Sequence, residues 1–461
     1  MLIVCMLGVF FRSLVMLVHL LKDVIKILKF SAPLIFASLL QMAMGIIDNM
    51  VVGHYSTQAL ASMAVAHGIF IVFFLLGLGV LLALRSLIAQ AYAAEQKEII
   101  GQYVCQGILL CIPFTLITWL AFYAYEPILT WAKQDPSLFH YAGDYLKVLA
   151  LSIPAVFAFI TLRQLTEGLG DLKISMWIAL GGALLNIPFD LLFVFGYGPI
   201  PTMGASGAAL TTTVLNYLML GALLRYILKG KKYQDLFLFR KDAWLCLSRC
   251  KDILNIGLPL AGVRLGEVGF FIYSMLLMGW LGVNTLASHQ VAINAASVSF
   301  MIPMGISMAM TVWIGREEGK KNLEGVRYFG WLGFLTGLLV MLPGAFVFWF
   351  FPEPVAALFT SDVQVIKDAA ILLHYAAIFQ IFDGTQVMGV GILQGVNDTK
   401  IPFLVIMITF WLIGAPLSYY AAFTLGFGGQ GVWGVLILAL ALTSLAHMLR
   451  FALVLRKKTH A

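Results

Sequence analysis

Twelve long apolar stretches, divided by short polar turns, fill most of this 461-residue chain. Each is close to the roughly 20 residues that an α-helix needs to cross a hydrocarbon core of about 30 Å. Within that core only the chain itself can satisfy a backbone N–H or C=O, which leaves helices and closed barrels as spanning structures. The stretches are too long and too evenly apolar for barrel strands, which alternate over about ten residues. Composition agrees: 61% of residues are hydrophobic and 11% charged, too little charge to cover a soluble surface. The reading is an all-α membrane protein. Its spans lie near 30–53, 68–92, 101–125, 144–166, 174–197 and 207–228, then 253–280, 291–314, 328–351, 369–392, 401–425 and 431–455.

Residues 1–29 precede the first span. Met1 to Phe11 is apolar, Arg12 interrupts it, and Lys22, Lys26 and Lys29 recur at helical spacing. This reads as an amphipathic interfacial helix, with initiation at Met16 as an alternative start. A secretory signal is not expected, since no charge precedes the apolar run and no small-residue cleavage site follows it. With the N-terminus inside, about 21 Lys/Arg fall on the cytoplasmic side and about 3 outside, namely Lys133, Lys147 and Lys367. The 229–252 link and the 456–461 tail are both basic. Such asymmetry places both termini in the cytoplasm of a bacterial inner membrane. The net charge of +7 therefore orients the chain; the basic clusters lack the interleaved aromatic platform that nucleic acid would require. Cys5, Cys105, Cys111, Cys246 and Cys250 are expected as reduced thiols, with no His or further Cys at metal-ligand spacing.

The chain repeats itself. At a shift of 226 residues Pro33-Leu34 meets Pro259-Leu260, Leu60-Ala61-Ser62 meets Leu286-Ala287-Ser288, and Phe74, Gly79, Ala83 and Ile88 meet Phe300, Gly305, Ala309 and Ile314. At 227, Gly168, Asp171 and Lys173 meet Gly395, Asp398 and Lys400. A six-span repeat inserts both halves in the same direction, so an axis along the membrane normal should relate an N-lobe (30–228) to a C-lobe (253–455), with a cavity between them.

Charged groups at bilayer depth cost about 2.5–3.5 kcal/mol each on insertion scales and usually mark function. Asp48, Asp190, Glu267 and Asp383 are the acids read deep in spans. Asp48 shares a face with Gln41 but sits late in its span. Asn186 and Asp190 stand at i and i+4 around Pro188, which frees a carbonyl one turn earlier. That oxygen set suits a hard monovalent cation, or a proton on Asp190. Glu267 lies among glycines beside Phe271, three residues after Arg264; a local Arg264–Glu267 pair and an Arg264 that snorkels to the span end are both open. Asp383 has Gln380 one turn away and no basic residue on its own helix, and Gln41, Gln290, Asn294, Phe271 and Gln380 are the residues expected to line a substrate cavity. Gln290, Asn294 and Ser297 form a polar stripe that lines the cavity or glues helices. None of the four acids recurs in the other half: Asp48 maps to Ser274, Glu267 to Gln41, Asp383 to Val156, and Asp190 to Leu417 or Ser418. His54, His67, His289, His374 and His447 read as satisfied polar or span-end groups. No Walker-type phosphate loop, Ser/His/Asp set or Asp-rich metal motif is present, so neither ATP-driven transport nor an intramembrane enzyme is expected.

Met44-Gly45-Ile-Ile-Asp48 with Gly53, Asn186-Ile-Pro188-Phe-Asp190, Gly266-Glu267, and Asp383 followed by Gln394-Gly395-Val-Asn-Asp398 together resemble the multidrug and toxic compound extrusion (MATE) transporters of the bacterial NorM-type branch. The resemblance covers roughly residues 25–455. It implies a V-shaped bundle of two six-helix lobes that exports organic, often cationic, aromatic compounds as a monomer, with H⁺ or Na⁺ as the coupling ion and no other cofactor. It assigns the N-lobe cation site to Asp48, Asn186 and Asp190, and the C-lobe site to Glu267 and Asp383. Many NorM-type members carry Asn at the position of Asp190, so acids in both lobes leave the ion open. A lipid-linked oligosaccharide flippase of related fold is the rival; it should show a more cationic cavity, and Arg264 and Arg163 are the basic candidates seen at depth.

Overall fold

The computed structural model describes residues 2–238, 241–244 and 246–459, with side chains from residue 19 onward except those of 241 and 242. Helices form nearly all of it. The N-terminal half comprises α1 (Leu2–Tyr55), α2 (Thr57–Ala93), α3 (Lys97–Tyr123), the short α4 (Tyr125–Trp131), α5 (Phe139–Ala150), α6 (Ile153–Gly168), α7 (Leu172–Phe195) and α8 (Ala205–Lys229). The link carries α9 (Lys231–Gln234) and α10 (Lys241–Trp244). The C-terminal half follows with α11 (Leu247–Leu281), α12 (Val283–Gly319), α13 (Leu323–Phe350), the short α14 (Pro352–Ala357), α15 (Val363–Gly395), α16 (Lys400–Ile406), α17 (Ala415–Tyr419) and α18 (Gly428–Thr459). Among the described residues eleven helical stretches are long and apolar enough to cross a membrane; the bent pair α5–α6 makes a twelfth crossing.

Helix α1 continues without a break through residue 29 into the first span. Its Val24 and Ile27 are buried against the C-terminal half while Lys22, Lys26 and Lys29 stay exposed. Asp23 accepts from Tyr328 at 2.7 Å, and the Lys26 ammonium stands over Trp313. The amphipathic reading of residues 2–18, Cys5 and the Met16 start lie outside the described side chains.

The span expected as one helix over 144–166 is broken. Pro154 has no N–H to give to the carbonyl four residues back, and α5 and α6 meet there at 47°. The carbonyls around the break find side chains: Val148 accepts from Thr213 at 3.2 Å, Ala150 from the Trp119 indole at 2.8 Å, and Leu151 from Tyr217 at 3.1 Å. Backbone at membrane depth is thereby satisfied from neighbouring helices, as hydrocarbon demands. In the eleventh span, Met407–Gly414 and Tyr420–Thr424 widen into π-helical turns around α17. Such turns concentrate at functional sites, and here they bring Trp411 to donate to the Gly266 carbonyl at 3.1 Å.

The repeat is visible as contact. Gly79 of α2 lies against the Ala261 backbone of α11, and Gly305 of α12 against the Ile35 backbone of α1; the 226-residue shift turns one contact into the other. A Cβ on either glycine would come within 2.6 Å of backbone, so these crossings exist only because no side chain is there. Inter-lobe hydrogen bonds gather at the end of the bundle that carries the link. The Gln90 amide donates to the Gly395 carbonyl at 2.8 Å, and Arg316, its counterpart in the other half, donates to the Leu169 carbonyl at 2.6 Å. Gln394 donates to the Leu82 carbonyl at 2.7 Å, and Asn397 to Gln90 Oε1 at 2.7 Å. The link joins this latch: Lys232 also donates to the Leu169 carbonyl at 2.9 Å, and Tyr226 and Tyr233 both donate to Asp171 at 2.8 Å. Burial and the Asp171 carboxylate keep the Tyr233 phenol protonated far above its usual range.

Candidate functional site

Between the lobes lies a cavity of about 1000 Å³, large enough for a drug-sized molecule. Its walls are mostly apolar and aromatic, with Phe74, Phe159, Phe271, Phe379 and Phe410 among them. Gln41, Gln290, Asn294 and Phe271 line it as expected from the sequence, together with Ser297. Gln290 donates to Asn294 at 3.1 Å, so the stripe holds itself in register at i, i+4.

Glu267 of α11 and Asp383 of α15 both line this cavity. Glu267 is committed: Arg264 Nη1 donates to it at 3.0 Å and Gln386 Nε2 at 2.6 Å. The snorkelling alternative for Arg264 is thereby excluded, because the guanidinium turns to the cavity wall and pairs there. Asp383 makes no hydrogen bond among the described residues and stands within electrostatic reach of Glu267 and Arg264. It is 7% exposed, and its carboxyl has the cavity as its outlet.

The N-lobe set lies apart from the cavity wall. Asn186 Nδ2 donates to Asp48 Oδ1 at 2.8 Å and to Asp190 Oδ2 at 3.3 Å, so one amide bridges carboxyls from α1 and α7. Asp190 and Asn186 are buried, and their Oδ1 atoms have no partner among the described residues. Unpaired oxygens at such depth are costly, and oxygen is the donor type that a hard cation takes. His67, on the cavity wall, lies within electrostatic range of Asp48.

Gln380 does not reach the cavity. It is fully buried, takes a 2.5 Å hydrogen bond from Ser299 and packs against Gly344 of α13, with its Nε2 unpartnered among the described residues. Three residues from Asp383 is about 60° around the helix, enough to turn it into the lobe. His54 and His374 are satisfied as expected, each ring bonding the carbonyl four residues back; two histidines depart from expectation, since among the described residues His289 Nδ1 and His447 Nε2 are buried without partners, and His289 lines the cavity.

Sequence reasoning missed a buried ion triad. Glu167, read as a span-end charge, is fully buried. It accepts from Arg85 Nη2 at 2.6 Å, Arg163 Nε at 2.6 Å and Ser175 at 3.2 Å. Arg85 and Arg163 both line the cavity. Three guanidiniums therefore stand at depth, not the two expected.

The MatE family model matches residues 33–192 and again 259–420, two blocks that begin 226 residues apart. The chain belongs to the MatE family. It is 33% identical over 408 residues to the "Probable multidrug resistance protein NorM" of Mesorhizobium japonicum, covering 87% of each chain. It is 32% identical to the "Multidrug resistance protein PmpM" of Pseudomonas aeruginosa, covering 93% of this chain and 91% of that one. The fold is shared with an outward-facing multidrug resistance MATE family transporter, at TM-score 0.87, 18% identity and 94% and 96% coverage. It is shared too with the bent form of the Vibrio cholerae MATE transporter VcmN, at TM-score 0.85, 17% identity and 95% and 99% coverage.

Proposed function

We propose that this chain is a secondary antiporter that exports organic, often cationic and aromatic, compounds in exchange for H⁺ or Na⁺. It works as a monomer in a bacterial inner membrane, with both termini and the lobe latch on the cytoplasmic side. The observation that carries this reading is Asp383: an uncommitted carboxyl on the wall of an aromatic cavity that lies between two lobes latched at one end. The resistance proteins that match it over most of their length support the substrate class.

Two sites divide the chemistry. The cavity carboxyls Asp383 and Glu267 attract the cationic substrate, while Asp48, Asn186 and Asp190 offer a buried oxygen set to the coupling ion. Two carboxyls bridged by one amide are placed to hold a proton or a metal ion between them. Antiport requires the ion and the substrate to disfavour each other through coupled groups; His67 stands between Asp48 and the cavity and is placed to carry that coupling. The ion-loaded protein then breaks the latch and opens the opposite face.

Dye export from proteoliposomes, with a pH gradient and a sodium gradient imposed separately, tests the reading. Response to one gradient names the ion; response to neither removes the antiporter in favour of the flippase. The latch has its own test. A Cβ on Gly315 would stand 3.1 Å from Ala89 Cβ, about 0.7 Å short of the usual separation of about 3.8 Å in a disulfide, so a small parting of the two helices brings the pair into range. Ala89→Cys with Gly315→Cys, on a background without the native thiols, is expected to cross-link under oxidation and to stop export until reduced. Full export by the cross-linked protein would show that the lobes need not part there.

A further inference from the structure

The cavity's positive groups are left over by a mechanism built on carboxyls. Arg85 and Gln164 are each 2% exposed, both line the cavity, and Arg85 Nε and Gln164 Oε1 have no partner among the described residues. Arg163 spends its Nε on Glu167, and its two Nη groups make no hydrogen bond among the described residues. Arg264, bound through one Nη to Glu267, lies within electrostatic reach of Arg85. Three guanidiniums thus share two hydrogen-bonded carboxylates, Glu167 and Glu267, and the third carboxyl of the cavity, Asp383, bonds to none of them among the described residues. They sit towards the latched end: Leu82, one turn from Arg85, accepts the inter-lobe hydrogen bond of Gln394.

An unmatched buried guanidinium presents a planar fork of N–H donors suited to a carboxylate or phosphate oxygen pair. We propose that Arg163, supported by Arg85 and Gln164, forms an anion subsite in the cavity floor, and that it binds the carboxylate of an aromatic zwitterion. The aromatic body lies against Phe159 and Phe271, and the cationic group points to Asp383. Arg163 makes the contact because both its Nη groups are uncommitted, while Arg85 spends its Nη2 on Glu167. The carboxylate is favoured over a lipid phosphate because the surrounding wall is aromatic and about the size of one drug-like molecule. The inference deepens the transport reading and rests on it for the choice of substrate.

The test is binding, read by fluorescence anisotropy in detergent, of a cationic rhodamine ethyl ester and of its zwitterionic free acid. Arg163→Gln is expected to raise the acid-to-ester ratio of Kd about tenfold, the loss of one charge-assisted fork; Arg163→Lys, which keeps charge but not the fork, should fall between. In the unmodified chain benzoate should displace the acid and spare the ester, a measurement that does not depend on any variant folding. An unchanged ratio, or equal loss of both dyes, overturns the subsite. Displacement of the acid by a short-chain phosphatidic acid but not by benzoate overturns the carboxylate in favour of a lipid phosphate. Tight binding of both dyes without export under either gradient defeats the antiporter and leaves the subsite standing.

Discussion

Asp383→Asn is expected to insert normally and to lose gradient-driven export by at least about tenfold, because coupling free energies of about 1–3 kcal/mol correspond to roughly 5–150-fold. The substitution keeps shape and removes charge. Nothing among the described residues donates to that carboxyl, so no hydrogen bond is broken, and a buried ionisable group is replaced by a neutral amide. Thermal stability in detergent should therefore hold or rise while transport falls. That split separates a functional carboxyl from a structural one: a residue that merely held helices together would lose both. Export at the normal rate in Asp383→Asn would remove it from the mechanism, and Asp48→Asn in the same assay examines the other lobe.

The architecture was legible because its causes are local or repetitive. Apolar runs set the spans, and the 226-residue register that aligned Gly79 with Gly305 has a physical reason in the structure: each glycine admits the backbone of the other lobe. The five residues expected to hold the coupling ion were legible as charges and amides where lipid should be, and the chain brings Asp48, Asn186 and Asp190 together and places Glu267 and Asp383 on one cavity. What escaped depends on partners distant in sequence. The bend before α6 is stable because Thr213, Trp119 and Tyr217 take up freed carbonyls, and no pattern around Pro154 announces them. Glu167 escaped because a charge at the end of an apolar run ordinarily meets water. The signals were present: Arg163 and Glu167 share a helix face at i, i+4, and Arg85 lay within the second expected span. Gln380 misled in the other direction, since nearness to Asp383 along the helix was taken for a shared face.

Glu167→Gln is expected to be the more damaging change to the protein itself. Glu167 is the counter-ion that lets Arg85 and Arg163 stay at depth. Removing one partner of a buried ion pair strands the other and costs about 3–5 kcal/mol, and here two guanidiniums are stranded at once. The protein should melt well below the parent in a detergent thermal-shift assay and aggregate on size exclusion, with export lost as a consequence. The same reasoning gives an opposite sign for a concerted change. Replacing Arg85, Arg163 and Glu167 together by Met and Leu of similar volume removes every charge of the triad, and such swaps are often neutral or stabilising. The triple variant should therefore recover most of the melting temperature that Glu167→Gln loses, while binding the zwitterionic dye no better than Arg163→Gln. A triple variant as unstable as the single one would show that the hydrogen bonds to Glu167, from Arg85 of α2 and Ser175 of α7, and not the charge balance, hold those helices to α6.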